Sequence, residues 1–168
     1  MADERTHRWR NSPNPGGTFF VTASTLDRAH RFAEPRAKDV VTRSLLQTSL
    51  TLNVRLSGYV VLSNHFHLLA FLPDDLTVAR YVQRLKVRAH ERRGEPGTLW
   101  DEGYRGLRVS GERFRLGKID YIHGNPLKYG LAERAEDYRW SSAHALAQGC
   151  LDEGLGLDLR KAMNLYAE

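Results

Sequence analysis

Two short apolar runs, residues 55–62 and 65–72, stand only Ser63-Asn64 apart. Two apolar runs of that length separated by a two-residue break suggest an antiparallel hairpin. A hairpin this apolar has to be buried in a larger sheet with helices over it, so the rest of the chain must supply both.

It does so in an interleaved order. Thr18-Phe19-Phe20-Val21-Thr22 reads as a strand, after the turn-forming Ser12-Pro13-Asn14-Pro15-Gly16-Gly17. Residues 36–53 carry Val41, Leu45, Leu46 and Leu50 at helical spacing. Beyond the hairpin, Pro73-Asp74-Asp75 opens a second helix, with Val78, Ala79, Val82, Leu85 and Ala89 as its apolar stripe and arginines on the other side. Residues 94–97 break that pattern, and a strand is expected over 104–109. A helix then runs from about Gly111 toward His123 and is expected to stop at Asn125-Pro126, because the residue before proline avoids the helical region. One more helix is expected within 136–147. The fold class is therefore α+β, a mainly antiparallel sheet with helices packed largely on one face. The expected division is a basic leader over 1–17, one domain over 18–147 and a tail over 148–168.

Composition narrows the function classes. The 168 residues suit one domain. A net charge of +5 is compatible with a polyanionic partner. Arg80, Arg84, Lys86, Arg88, Arg92 and Arg93 crowd one segment, and Arg105, Arg108, Arg113, Arg115 and Lys118 another. No apolar run approaches the roughly 18 residues that span a bilayer. The charged start, Met1-Ala2-Asp3-Glu4-Arg5, does not open a signal peptide, and the single Cys150 forms no internal disulfide. The expectation is a cytoplasmic, nucleoid-associated protein with no membrane partner.

Two features carry chemistry. In a strand, His65 and His67 project to one side and Phe66 to the other, with the two imidazoles about 7 Å apart at the backbone. Polar rings inserted into an apolar strand cost free energy unless satisfied, and one divalent cation shared by both is a way to satisfy them. Asn64 is placed to hold a ring from behind. The second feature is the run Asp120-Tyr121-Ile122-His123-Gly124-Asn125-Pro126-Leu127-Lys128. On a helix, Lys118, Tyr121 and Asn125 share a side. A tyrosine hydroxyl, with a pKa of about 10, needs help to act as a nucleophile. A lysine one turn away or a nearby metal supplies it, and Asn125 offers an amide oxygen as a third, hard ligand. Spacing alone does not choose Tyr121 over Tyr81, Tyr104, Tyr129 or Tyr138.

Taken together, these segments resemble a known family. Val60-Val61-Leu62-Ser63-Asn64-His65-Phe66-His67-Leu68-Leu69 is similar to the histidine-strand motif of single-tyrosine HUH transposases. The later runs Leu99-Trp100-Asp101-Glu102-Gly103-Tyr104, 120–128 and Tyr138-Arg139-Trp140-Ser141-Ser142-Ala143 resemble the REP-associated tyrosine transposases. Ser63 stands where relatives commonly have proline. The resemblance implies a ferredoxin-like, HUH-type fold, His65, His67 and Asn125 as metal ligands, Tyr121 as nucleophile and Mg²⁺ or Mn²⁺ as cofactor. It further implies single-stranded DNA with hairpin repeats as partner, cut through a 5′-phosphotyrosine intermediate by a monomer or homodimer. Arg84, Arg88, Arg105, Arg108 and Lys118 are the expected phosphate contacts. Two alternatives stay open: a non-catalytic nucleic-acid binding module, and a metal-dependent phosphodiester hydrolase with His123 as a further ligand.

Overall fold

A computed structural model describes residue 13, residues 15–149, and the backbone of 151–152 and 157–158. The leader's Arg5–Arg10 and Cys150 therefore lie outside the described residues. Strand β1 (Gly17–Ser24) is followed by α1 (Pro35–Thr51), the hairpin β2 (Arg55–Val61) and β3 (His65–Leu72), α2 (Val78–Arg93) and β4 (Arg105–Arg108). The sheet order is β2-β3-β1-β4 with every neighbouring pair antiparallel, the βαββαβ arrangement of ferredoxin-like folds. After it come α3 (Glu112–Lys128), a short 3₁₀ turn (Ala135–Asp137) and α4 (Ser142–Ala147). The backbone pair Leu151–Asp152 and Leu157–Asp158 forms a small separate ribbon.

Strand alternation divides the molecule into two apolar regions. Phe19, Val21, Phe66, Leu68 and Ala70 face Val41, Leu45, Val82 and Leu85 of α1 and α2, making the larger core. A buried bridge from Ser49 Oγ to Tyr81 Oη (2.7 Å) ties those two helices. On the opposite face, Val60 and Leu69 meet Ile122 of α3, with Phe20 and Ile119 packed alongside. Helices α1 and α2 thus cover one face, and α3 crosses the other, where the histidines project.

Three elements depart from the expectation. α2 begins at Val78 rather than at Pro73, because Thr77 is the residue whose hydroxyl caps it, accepting from the Arg80 N–H at 3.2 Å. α3 continues through Asn125-Pro126 to Lys128. A proline one turn from a helix end removes a single ladder bond there. The stop comes from Gly130 (φ 67°), with Leu131 N–H donating to Pro126 O (2.8 Å) and Gly130 N–H to Leu127 O (3.0 Å). Those two bonds are the Schellman pairing that closes a helix on a left-handed glycine. The helix expected over 136–147 is split, because residues 138–141 instead line the edge of β2. Val61 N–H donates to Trp140 O (2.9 Å), Tyr138 Oη to Val61 O (2.8 Å), and Trp140 Nε1 to Asp39 Oδ1 (2.8 Å). An edge strand next to a bulge at Leu56/Gly58 is closed off in this way.

Candidate active site

The hairpin tip is pinned before it carries any chemistry. Thr25 N–H donates to Asn64 O (2.9 Å) and Phe32 N–H to Ser63 O (2.7 Å). From this fixed tip, His65 and His67 project toward α3, 9% and 6% exposed, their ring centroids 4.8 Å apart and their planes 78° apart. Each ring is held through Nδ1. His65 Nδ1 lies 2.6 Å from Asn64 Oδ1, and Asn64 Nδ2 donates to the Arg28 carbonyl at 3.0 Å, which orients the amide and makes His65 Nδ1–H the donor. His67 Nδ1 lies 2.6 Å from Thr22 Oγ1, its cross-strand neighbour. With Nδ1–H donating, Nε2 keeps the lone pair that a metal takes. Burial, then the neighbouring Arg28 and His30, lower the His65 pKa to about 4. Burial, then His65, Lys118, Lys128 and Arg28, lower that of His67 to about 3. Both rings are therefore neutral at neutral pH, the form that ligates.

Across from them, Tyr121, Asn125 and Tyr129 lie four residues apart on one stripe of α3 and its cap. The Tyr121 ring stands 5.4 Å from His67 and 5.8 Å from Phe20, and the Tyr129 ring 6.4 Å from His65. Asn125 sits between them at 1% exposure. Its Nδ2 donates to Tyr121 O at 2.8 Å, and its Oδ1 is buried with no hydrogen-bond partner among the described residues. Lys118 lies one turn before Tyr121, its Nζ 4.7 Å from the Phe20 ring centroid and 5.9 Å from that of Tyr121.

Burial sorts the tyrosines that spacing left open. Tyr81 is fully buried between helices, and Tyr138 spends its hydroxyl on the β2 edge. Tyr104 lines an adjoining hollow beside Asp101 and Glu102. Tyr121 and Tyr129 remain, both about half exposed and both beside the histidine pair.

The donor set fits a divalent cation held by two imidazole nitrogens and one amide oxygen. A buried acceptor without a donor is costly, so the orphaned Asn125 oxygen is the observation that favours a cation there. Among the described residues, no group of three or more His, Cys, Asp or Glu is placed to hold a metal. His123 does not join the pair: its Nε2 lies 2.7 Å from Ser142 Oγ, beside β2.

The hollow over the histidines measures about 360 Å³, with Phe20, Thr22, Tyr121 and Tyr129 in its wall. Three cations rim it: Arg28, Arg105 and Lys118. Arg105 reaches it because β4 pairs Arg105 with Thr22, on the histidine face. The other basic residues singled out from sequence do not line it. Arg84 and Arg88 belong to α2, across the sheet, where Arg88 Nη1 donates to Thr48 Oγ1 (3.3 Å). Arg108 has the opposite strand parity and stacks its guanidinium over Phe19 at 4.6 Å. Arg28 was missed by sequence reasoning, since it lies in a loop where no periodicity marks it.

No family model matches the chain, and no curated protein does. Among solved structures, a REP-associated tyrosine transposase bound to a REP hairpin superposes with a TM-score of 0.72 at 19% identity, over 90% of this chain and 89% of that one. A protein from Deinococcus radiodurans R1 assigned as a transposase aligns at a TM-score of 0.49 and 20% identity, over 74% of this chain and 97% of that one. This chain has the fold of a REP-associated tyrosine transposase.

Proposed function

We propose that this protein is a metal-dependent, single-strand DNA endonuclease and strand-transferase that uses Tyr121 as its nucleophile and acts at hairpin, REP-like repeats. The observation that carries the reading is the apposition of Tyr121 to His67, with rings 5.4 Å apart, together with the orphaned oxygen of Asn125 one turn further along α3. His65 and His67, through Nε2, and Asn125, through Oδ1, would hold Mg²⁺ or Mn²⁺, which supplies Lewis-acid polarisation of a bound phosphate. Arg28, Arg105 and Lys118 offer the strand's backbone a positive rim. Tyr121 is 45% exposed, so its phenolic proton can pass to water while Lys118 stabilises the developing phenolate. The phenolate oxygen attacks phosphorus, an O–P bond forms, and the bond from phosphorus to the 3′ oxygen breaks. The departing oxygen takes a proton from water and becomes a free 3′-OH. The 5′-phosphotyrosyl ester keeps the bond available for a second 3′-OH, so rejoining needs no outside energy.

A hydrolase reading loses support from His123, which is engaged with Ser142. A module that binds without cutting would leave a buried amide oxygen and two neutral imidazoles with no chemical role. The test is incubation of the protein with labelled single strands carrying the hairpin repeats that flank its gene, in Mg²⁺ or Mn²⁺, run on a denaturing gel. A heat-stable protein–DNA band, lost in Tyr121→Phe and in His65→Ala, supports the reading. Cutting without adduct that survives Tyr121→Phe refutes it in favour of hydrolysis.

A further inference from the structure

The loop between β1 and α1 contains two consecutive non-glycine residues in the left-handed region, Asp27 (φ 55°) and Arg28 (φ 52°). Side chains other than glycine's enter that region rarely, and strain of this kind collects at functional sites. The turn is locked from several sides. Arg28 N–H donates to Thr25 O (3.0 Å), Ala29 N–H to Leu26 O (3.1 Å), and Thr25 Oγ1 to Ala29 O (2.6 Å). Leu26 N–H donates to Leu99 O (3.1 Å), which ties the turn to the segment before β4. The Arg28 carbonyl then receives Asn64 Nδ2, the amide that orients His65.

The side chain so positioned is a guanidinium at a junction. Arg28 lines the hollow of His65, His67 and Tyr121, the hollow of Asp101–Arg105, and a third hollow bounded by Ser63, Asn64 and Tyr129. It shares the first of these hollows with both imidazoles. No salt bridge to it is found among the described residues, whereas Arg93 and Arg139 each have one and Arg134 has two.

We propose that Arg28 is a phosphate-binding residue of this site, donating its planar pair of N–H groups to the non-bridging oxygens of the phosphodiester lying against His65 and His67. This rests on the reading of the site as one for a nucleic-acid strand. A guanidinium suits that role because its fork matches two phosphate oxygens and never loses its charge. Arg28 is the residue that lines both the Asp101–Arg105 hollow and the Tyr129 hollow, so it stands where a strand occupying the two would be continuous.

Arg28→Gly separates the two functions of the position, since glycine takes φ 52° without strain and removes the guanidinium. The probe is the flanking-repeat oligonucleotide, 5′-fluorescein labelled, with affinity read by anisotropy in a Tyr121→Phe background and adduct formation read in single turnover. Arg28→Gly is expected to melt at or above the parent temperature, to slow adduct formation at least tenfold, and to reduce the slope of log affinity against log salt by about 0.7, one single-strand phosphate. Arg28→Lys is expected to recover part of the rate, and Arg36→Ala, at the start of α1, to leave rate and slope unchanged. An Arg28→Gly protein that folds and cuts like the parent overturns the inference while the tyrosine reading stands. One that melts well below the parent makes the side chain structural and also overturns it. If the parent forms no adduct with either metal, the tyrosine reading fails and binding alone decides: an unchanged salt slope in Arg28→Gly refutes the phosphate contact, and a reduced one upholds it.

Discussion

Asn125→Leu is the substitution that most sharply separates a metal ligand from an ordinary buried amide. The side chain is 1% exposed, its Oδ1 has no hydrogen-bond partner among the described residues, and its Nδ2 donates to Tyr121 O at 2.8 Å. Leucine of similar length removes an unsatisfied buried acceptor, a relief of about 1–3 kcal/mol. It also loses the Nδ2 bond, about 0.5–1.5 kcal/mol, to a carbonyl that still belongs to the helix ladder. Leucine's better helix propensity returns roughly 0.4 kcal/mol. The balance is about 1 kcal/mol of stabilisation for the metal-free protein, or roughly 2–4 °C in a chain of this size. If Oδ1 is a ligand, the parent gains further stability with Mn²⁺ by linkage and the variant gains much less. The assay is thermal melting by circular dichroism, in EDTA and across a Mn²⁺ titration. A variant that melts several degrees lower in EDTA, or that responds to Mn²⁺ as the parent does, refutes the reasoning.

Thr22→Val removes the oxygen that meets His67 Nδ1 at 2.6 Å, and partners of that kind are typically worth 10–100-fold in metal affinity. Calorimetric Mn²⁺ titration should show that loss with the melting temperature in EDTA little changed; equal affinity would mean the contact does not orient the ring. In EDTA, stability should also fall as pH drops from about 6.5 toward 4. Both histidines have folded pKa values, about 4 and about 3, below the usual one, so the unfolded chain takes up protons in that window that the folded chain refuses. Each contributes a slope of about 1.4 kcal/mol per pH unit there, and His65→Ala/His67→Ala should flatten the curve of urea-unfolding free energy against pH. Gly130→Ala forces a Cβ into φ 67° at the cap of α3 and should cost about 1 kcal/mol, read as a lower melting temperature.

The sheet was legible in the sequence because its signals are local. A two-residue break between apolar runs gives a hairpin, and a period of two puts His65 and His67 on one side. Tyr121 and Asn125 on one stripe follow from a period near four. What stayed hidden depends on three-dimensional context. The cost of Pro126 is small so near a helix end, and Gly130, four residues later, is the real stop. Residues 138–141 look helical in isolation but are worth more as cover for the β2 edge. A cluster of arginines does not reveal which side of a sheet its helix will occupy, so Arg84 and Arg88 fall across the sheet from the histidines. Arg28 carries no pattern at all; its backbone conformation and the hollows around it are properties of the fold.

The proposed chemistry turns on one bond, the one that would join Tyr121 to the 5′ phosphate of a cut strand. Its most direct test is mass spectrometry of the protein after reaction with a flanking-repeat oligonucleotide in Mn²⁺, followed by nuclease trimming and proteolysis. The expected product is a peptide containing Tyr121 that carries a nucleotide 5′-phosphate, with fragment ions locating the mass on that tyrosine. The same mass on Tyr129, or a cut strand with no modified peptide, contradicts it.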